Sequence, residues 1–197
     1  MRAVLDKLIS WTGLVLAAVL LIAGGLLTWA NTFIGDQVDQ QLTQQGITMP
    51  EGEALASLPK SDAAALEEFA GSALDTGPEA KAYADHYILA HMNAASDGRT
   101  YQEVSGEYLA LDDAAKASEE GQALGGLRQT LFMGNTLRGL LLYGYAFATI
   151  GTIAGYAALA AFAGALVLLA LAQLGMRHAR RTVKAEGTVA QPELATA

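Results

Sequence analysis

The chain contains no cysteine, which excludes a disulfide framework, a thiolate metal site and a cysteine nucleophile together. Proline is scarce, with four in 197 residues, and no run of alternating β-branched residues occurs, so nothing in the chain predicts a sheet. Neither a Gly-x-Ser-x-Gly elbow nor a glycine loop closed by Lys is present, and the serine-hydrolase and phosphate-cradling signatures go with them. The most informative absence is charge. From Gly139 to Met176, 38 residues between Arg138 and Arg177, there is no Asp, Glu, Lys, Arg or His, and Leu8 to Gly35 is likewise uncharged between Lys7 and Asp36.

Runs of this kind predict membrane-spanning helices. As one helix the later run would reach roughly 57 Å, against a hydrocarbon core of ~30 Å. Counting back about 20 residues from Arg177 therefore gives a span over 156–176 and leaves 139–155 as an apolar stalk that needs protein to cover it. In the earlier run Trp11 and Trp29 stand 18 residues apart, about 27 Å along a helix and close to the spacing of the two membrane interfaces. That sets a span at 8–32, longer than the roughly 7–15 apolar residues of a secretory signal. Arg2 and Lys7 precede the first span, and Arg177, Arg180, Arg181 and Lys184 follow the second, so both termini are expected in the cytoplasm and the middle outside the cytoplasmic membrane. The expected division is a cytoplasmic N-terminus (1–7), the first span, an extracytoplasmic acidic helical domain (33–138), the stalk, the second span, and a basic, then disordered, cytoplasmic tail (177–197). From Asp36 to Arg138 there are 17 Asp and Glu against 6 Lys and Arg, a net −11 within a chain of net −8. That balance predicts repulsion of nucleic acid.

Within the middle region the periodicity is helical. Ile34, Val38 and Leu42 extend the first helix as an amphipathic segment ending near Gly46, and Met49-Pro50-Glu51-Gly52 with Pro59 marks a loop. Ser61 or Asp62 is placed to cap a helix carrying Leu66, Phe69, Ala70 and Leu74, which Asp75-Thr76-Gly77 ends. Pro78 suits the first turn of a helix over 78–95 with Ala84, Tyr87, Ile88, His91 and Ala95 facing inward. Asp97-Gly98 turns the chain, and Thr100 with Glu103 forms a capping box for a helix facing inward through Tyr101, Val104, Tyr108 and Leu111. An acidic connection from Asp112-Asp113 leads to an amphipathic segment with Leu124, Leu127 and Leu131 before Gly134-Asn135. The fold class is thus all-α, two transmembrane helices with a helical-bundle domain between them.

Three stretches carry a resemblance: Gly77-Pro78-Glu79-Ala80-Lys81-Ala82-Tyr83-Ala84-Asp85-His86-Tyr87-Ile88, Gly98-Arg99-Thr100-Tyr101-Gln102-Glu103-Val104-Ser105, and Thr130-Leu131-Phe132-Met133-Gly134-Asn135-Thr136-Leu137-Arg138-Gly139-Leu140-Leu141-Leu142. Over 36–181 the chain resembles a family of small actinobacterial integral membrane proteins, often labelled aromatic ring-opening dioxygenase (LigA). In that family a basic and an acidic residue usually stand where this chain has Met133 and Asn135. The family brings no established activity or catalytic residues. The label implies iron held by two His and a carboxylate.

The residues offer little for such a centre. His86 and His91 are five positions apart, which turns an α-helix by about 500° and points their rings apart. His91 is expected as a hydrogen-bonded structural histidine on the apolar face. Asp112-Asp113 and Glu119-Glu120 lack the spacing of a calcium loop. No cofactor or metal is expected, and neither span carries the ionisable residue from which ion pathways are built. Gly151-x-x-x-Gly155 allows close helix approach, as do Gly13, Ala17 and Gly24, with Ala157, Ala161 and Ala165 half a turn away. These sites serve packing of the two spans on each other, or a homodimer. Leu140, Leu141, Tyr143 and Phe147 of the stalk, with Arg138 at its start, are the candidates for internal cover or for a partner. The sequence therefore predicts a membrane-anchored domain acting by protein–protein contact, as an accessory subunit and not an enzyme. The alternative is an envelope enzyme using His91, Tyr87 and an outer carboxylate.

Overall fold

A computed structural model describes the backbone of residues 2–190 and the side chains of residues 4–181. Among these the chain is helical and holds no strand; a lone antiparallel bridge joins Thr48 to Ala73. The elements are α1 (Arg2–Thr43), α2 (Glu53–Ala56), α3 (Lys60–Leu66) with a 3-10 turn over Glu67–Phe69, α4 (Gly77–Ala82), a π-helical turn over Tyr83–Ile88, α5 (Leu89–Ser96), α6 (Tyr101–Ala110), α7 (Asp113–Ala117) and α8 (Glu119–Ala190). The fold divides into two compact units, one from the described parts of Met1–Thr32 and Gly151–Ala197, the other from Phe33–Ile150.

The first unit is an antiparallel helix pair. On α1 the buried or half-buried residues Ser10, Ala17, Gly24 and Asn31 recur every seventh position; on α8 Gly151, Ala158, Ala165, Ala172 and Ala179 do the same. A seven-residue repeat keeps one seam in register through a left-handed supercoil, and small side chains in it let the backbones approach. A Cβ on Gly24 would lie 2.8 Å from the Phe162 ring, and one on Gly164 3.2 Å from Leu20. The seam runs through Gly151, Ala158 and Ala165, not through the predicted Ala157 and Ala161. Four steps of seven from Gly151 to Ala179 keep one face, whereas Ala157 lies on the exposed side. Both helices are long and apolar enough to cross a membrane, over Val4–Thr43 and Glu119–Arg181. Only 11% and 17% of their most apolar stretches is buried, the reverse of a soluble protein's core helix. Trp11 and Trp29 are both exposed. α8 also continues past His178 to Ala190, where composition predicts disorder. Ala, Arg and Lys there are good helix formers, and Pro192 lies outside the described residues.

In the second unit, the end of α1 buries Val38 and Leu42 with Met49, Leu66, Leu74, Ala80, Ala84 and Leu141 in one core. Gly46, with φ +63°, ends the helix as expected. A smaller cluster joins Met92, Val104 and Leu131. The N-cap of α3 is Pro59 rather than Ser61 or Asp62: the Pro59 carbonyl accepts from the Asp62 and Ala63 amides, and the Asp62 carboxylate is turned to His86 instead. Leu74 lies beyond α3, where its amide donates to Ile47. Asp75-Thr76 opens a helix instead of closing one, for Thr76 and Glu79 form a capping box. The acidic connection holds α7, capped by the Asp112 carboxylate accepting from the Ala115 amide at 2.8 Å. Gly134-Asn135 does not interrupt α8. Gly134 is where Met92 sits against the helix, and a Cβ there would collide with its sulfur.

The predicted inward face of the helix over 78–95 drifts in its second half. Ala84 is buried, Tyr87 and Ile88 are half-buried, but His91 and Ala95 are exposed, and Met92 and Ser96 are buried in their place. Steps of four along an α-helix rotate the face by about 40° each. The wider π turn over Tyr83–Ile88 absorbs that rotation, so Ala80, Ala84, Ile88, Met92 and Ser96 share a side.

Leu141 is 2% exposed whereas Tyr143, two residues on, is 67% exposed. Leu141→Ala should cost about 2–5 kcal/mol and Leu141→Asp more, enough to unfold this unit. Tyr143→Asp should leave the thermal transition, followed by circular dichroism in mild detergent, nearly unmoved.

Candidate functional site

Arg138 is the residue that fastens α8 to the π turn. Its Nε donates to the Ala84 carbonyl at 2.9 Å and its Nη2 to Asp85 Oδ1 at 3.0 Å, while Lys81 Nζ reaches Asp85 Oδ2 at 2.7 Å. A π turn bonds each carbonyl one residue farther along than an α turn does, and the Ala84 carbonyl accepts from Leu89 as well as from Arg138. Burial opposes ionisation of Asp85, but the hydrogen bonds from Lys81 and Arg138 outweigh it and hold the carboxyl below its ordinary range. Arg138, a site residue expected from the sequence, here clamps α8 to the π turn.

A second carboxylate is built in deeper. Glu79 is 8% exposed; its Oε2 accepts from the Asp75 amide, the Thr76 amide and the Thr76 hydroxyl at 3.1, 2.9 and 2.7 Å. Its Oε1 lies 2.9 Å from the Ser72 hydroxyl. Burial again works against the charge, and these donors outweigh it, so the carboxyl is held below the usual range. Each acceptor is matched by a donor, which makes Glu79 a knot between the start of α4 and the Ser72 segment.

The histidines diverge. His86 Nδ1 lies 2.9 Å from Asp62 Oδ1. His91 is exposed, and its Nδ1 donates to the Tyr87 carbonyl one turn back at 2.8 Å. Its ring packs at a tilt on Tyr87 with centroids 4.4 Å apart, and Tyr87 packs at a tilt on Tyr83 at 4.8 Å. His91 is thus hydrogen-bonded as expected but stands outside the apolar face, because the π turn moved that face to Met92. Among the described residues no group of three or more His, Asp or Glu side chains lies close enough to hold a metal ion.

The stalk residues part company along α8. Leu141 faces the core, while Leu140, Tyr143, Phe147 and Ile150 are exposed at 52–67%. Together with Phe33, Ile34, Gln37, Val38 and Gln41 of α1, and Gln45 in the turn after it, they line an open groove of about 520 Å³. Tyr108 packs on an earlier part of α8 than the stalk. It meets Gly125, and Arg128 lies over its ring at 5.5 Å while donating to Ser105. Gly151 and Gly155 belong to the helix pair, where Asn31 Nδ2 donates to the Gly151 carbonyl at 2.8 Å and a Cβ on Gly155 would lie 3.1 Å from that amide. Sequence reasoning passed over Asn31, Glu79 and the groove-edge glutamines. The signal for Glu79 was the Thr76-x-x-Glu79 box, hidden by a Gly-Pro that reads as a stop.

Glu79 and Asp85 set an acid dependence. Both folded-state carboxyls sit below their ordinary values, so their stabilisation is complete above about pH 4–4.5 and is lost as the pH falls through the folded-state values. Asp75, raised by burial and by the Glu79 charge, shifts the other way and offsets part of the slope. The melting temperature should fall on acidification from pH 5 to 3, and Glu79→Gln should lower it at pH 7 and flatten the acid slope.

No protein-family model matches the chain, and no curated protein or solved structure matches it significantly.

Proposed function

We propose that this chain is a membrane-anchored contact protein: the helix pair crosses the cytoplasmic membrane with both termini inside, and the acidic Phe33–Ile150 unit stands outside as an accessory subunit of a membrane or envelope complex. One observation carries the contact reading. Along α8, Met133, Leu137 and Leu140 form an apolar strip at i, i+4 and i+7, exposed at 53%, 48% and 57%, on a unit where no buried side-chain nitrogen or oxygen among the described residues lacks a partner. A domain that satisfies its own interior and leaves such a strip open is suited to association. The anchoring reading is supported by the outward-facing apolar side chains of the pair and by Arg and Lys at both ends. The small-residue seam is taken up within the chain, which favours a heterologous protein partner over a homodimer through Gly151 and Gly155. An envelope enzyme of the kind the dioxygenase label implies is the weaker reading, since the His91 ring is engaged by the Tyr87 carbonyl and packs on the Tyr87 ring.

Two measurements test this. In the cysteine-free chain, Gln102→Cys should react with a membrane-impermeant maleimide in intact cells and Thr188→Cys should not; labelling of Thr188→Cys would sink the orientation. Leu137→Arg, at an exposed position, should leave the protein folded and remove whatever protein co-purifies with it in mild detergent. A folded Leu137→Arg that retains every co-purifying protein would take the strip out of the contact surface.

A further inference from the structure

Sulfur chemistry in this chain falls to methionine alone. No cysteine is present to intercept an oxidant, and the unit from Phe33 to Ile150 holds three methionines, Met49, Met92 and Met133. Packing separates them. Met49 is 1% exposed in the larger core, and Met92 is 7% exposed with its sulfur against Gly134 of α8. Met133, one residue before that glycine, is 53% exposed. A peroxide must bring its oxygen to a sulfur lone pair, so of the three only Met133 is open to it without local unfolding. The reaction is a two-electron oxygen transfer. The sulfur takes one oxygen of hydrogen peroxide as the O–O bond breaks, the thioether becomes a sulfoxide, and the peroxide is reduced to water.

The effect of that change follows from where Met133 stands. It is the first residue of the apolar strip that Leu137 and Leu140 complete, and it belongs to neither core cluster. In the free chain a sulfoxide at this position stays hydrated and the fold is untouched. Under a protein that covers the strip, the same oxygen would give up its water among leucine side chains, a desolvation cost that the thioether does not carry. Oxidation thus penalises the covered state and spares the free one.

We infer that Met133 is a reversible oxidation site that governs association through the strip. The thioether permits contact, the sulfoxide opposes it, and methionine sulfoxide reductases return the first state. The inference rests on the contact reading of the strip and adds its regulation.

The test uses the full chain purified in mild detergent, treated with hydrogen peroxide for increasing times, then digested and mapped by mass spectrometry. Met133 should convert to completion while Met49 and Met92 remain unoxidised and the thermal transition stays in place. Oxidation of Met49 or Met92 in step with Met133, or an unreactive Met133, would overturn the site. At the dose that converts Met133, the chain should lose the co-purifying protein that Leu137→Arg also loses, and reductases for both sulfoxide epimers should restore it. Met133→Gln should lose that protein without peroxide, and peroxide should make no further difference to Met133→Leu. A treated chain that keeps the protein lost by Leu137→Arg would sink the switch and leave the contact reading standing. Peroxide-dependent loss from Met133→Leu would place the effect on another methionine and sink it equally. If Leu137→Arg loses nothing, the contact reading itself fails, and the switch falls with it.

Discussion

Everything in the second unit is registered against one uninterrupted stretch of helix. Within the Phe33–Ile150 unit α8 runs from Glu119 onward without a proline or a break, so each of its faces there is committed along that stretch. Leu131 and Leu141 must point inward at the same rotation that turns Leu137, Leu140 and Phe147 outward. Glycines mark where the helix is closely approached: Met92 comes against Gly134 and Ser10 against Gly175, and at Ala148 the close partner is Gly77 of α4. The helix tolerates the roughly 0.5–1 kcal/mol that each interior glycine costs relative to alanine because the close approaches recover packing that a Cβ would forbid.

Against that fixed wall the smaller helices are held by polar devices rather than by bulk. A unit of this size without disulfides has a limited core, and the capping boxes at Thr76 and Thr100, the Glu79 knot and the Arg138 clamp each tie a chain end or a turn to something rigid. The π turn is the clearest case of adjustment. Extra backbone room over Tyr83–Ile88 lets one helix keep Ala80 and Met92 on the same core while Arg138 holds the carbonyl the turn leaves accessible.

Where the sequence was legible, the signal was local and unambiguous. The α1 extension, the turn at Asp97-Gly98 and the Thr100–Glu103 box are short patterns with one physical solution. The misreadings share a different cause: each depended on something distant. Asp62 reads as a cap until His86 is found beside it, and Gly134 reads as a break until Met92 occupies the space. His91 reads as inward-facing because the rotation that exposes it is set by a π turn that no propensity announces. The groove was foreseeable only as leftover apolar surface, since which stalk residues remain uncovered follows from how far Val38 and Leu42 reach. The seven-residue seam of the pair was present in the sequence, but it is spaced more widely than the Gly151-x-x-x-Gly155 motif and its members differ in type, from Ser10 and Asn31 to Gly24 and Ala17.

That seam makes the length of the pair come in units. Inserting one residue into α1 between Ser10 and Asn31, or into α8 between Gly151 and Ala179, would turn every later position by about 100° and bring Leu or Val into a gap shaped for Ala or Gly. Only a whole heptad, about 10.5 Å of helix, restores the match. The pair therefore has no fine adjustment of length by addition or loss of single residues, and a thicker or thinner bilayer would have to be met by tilting the two helices together.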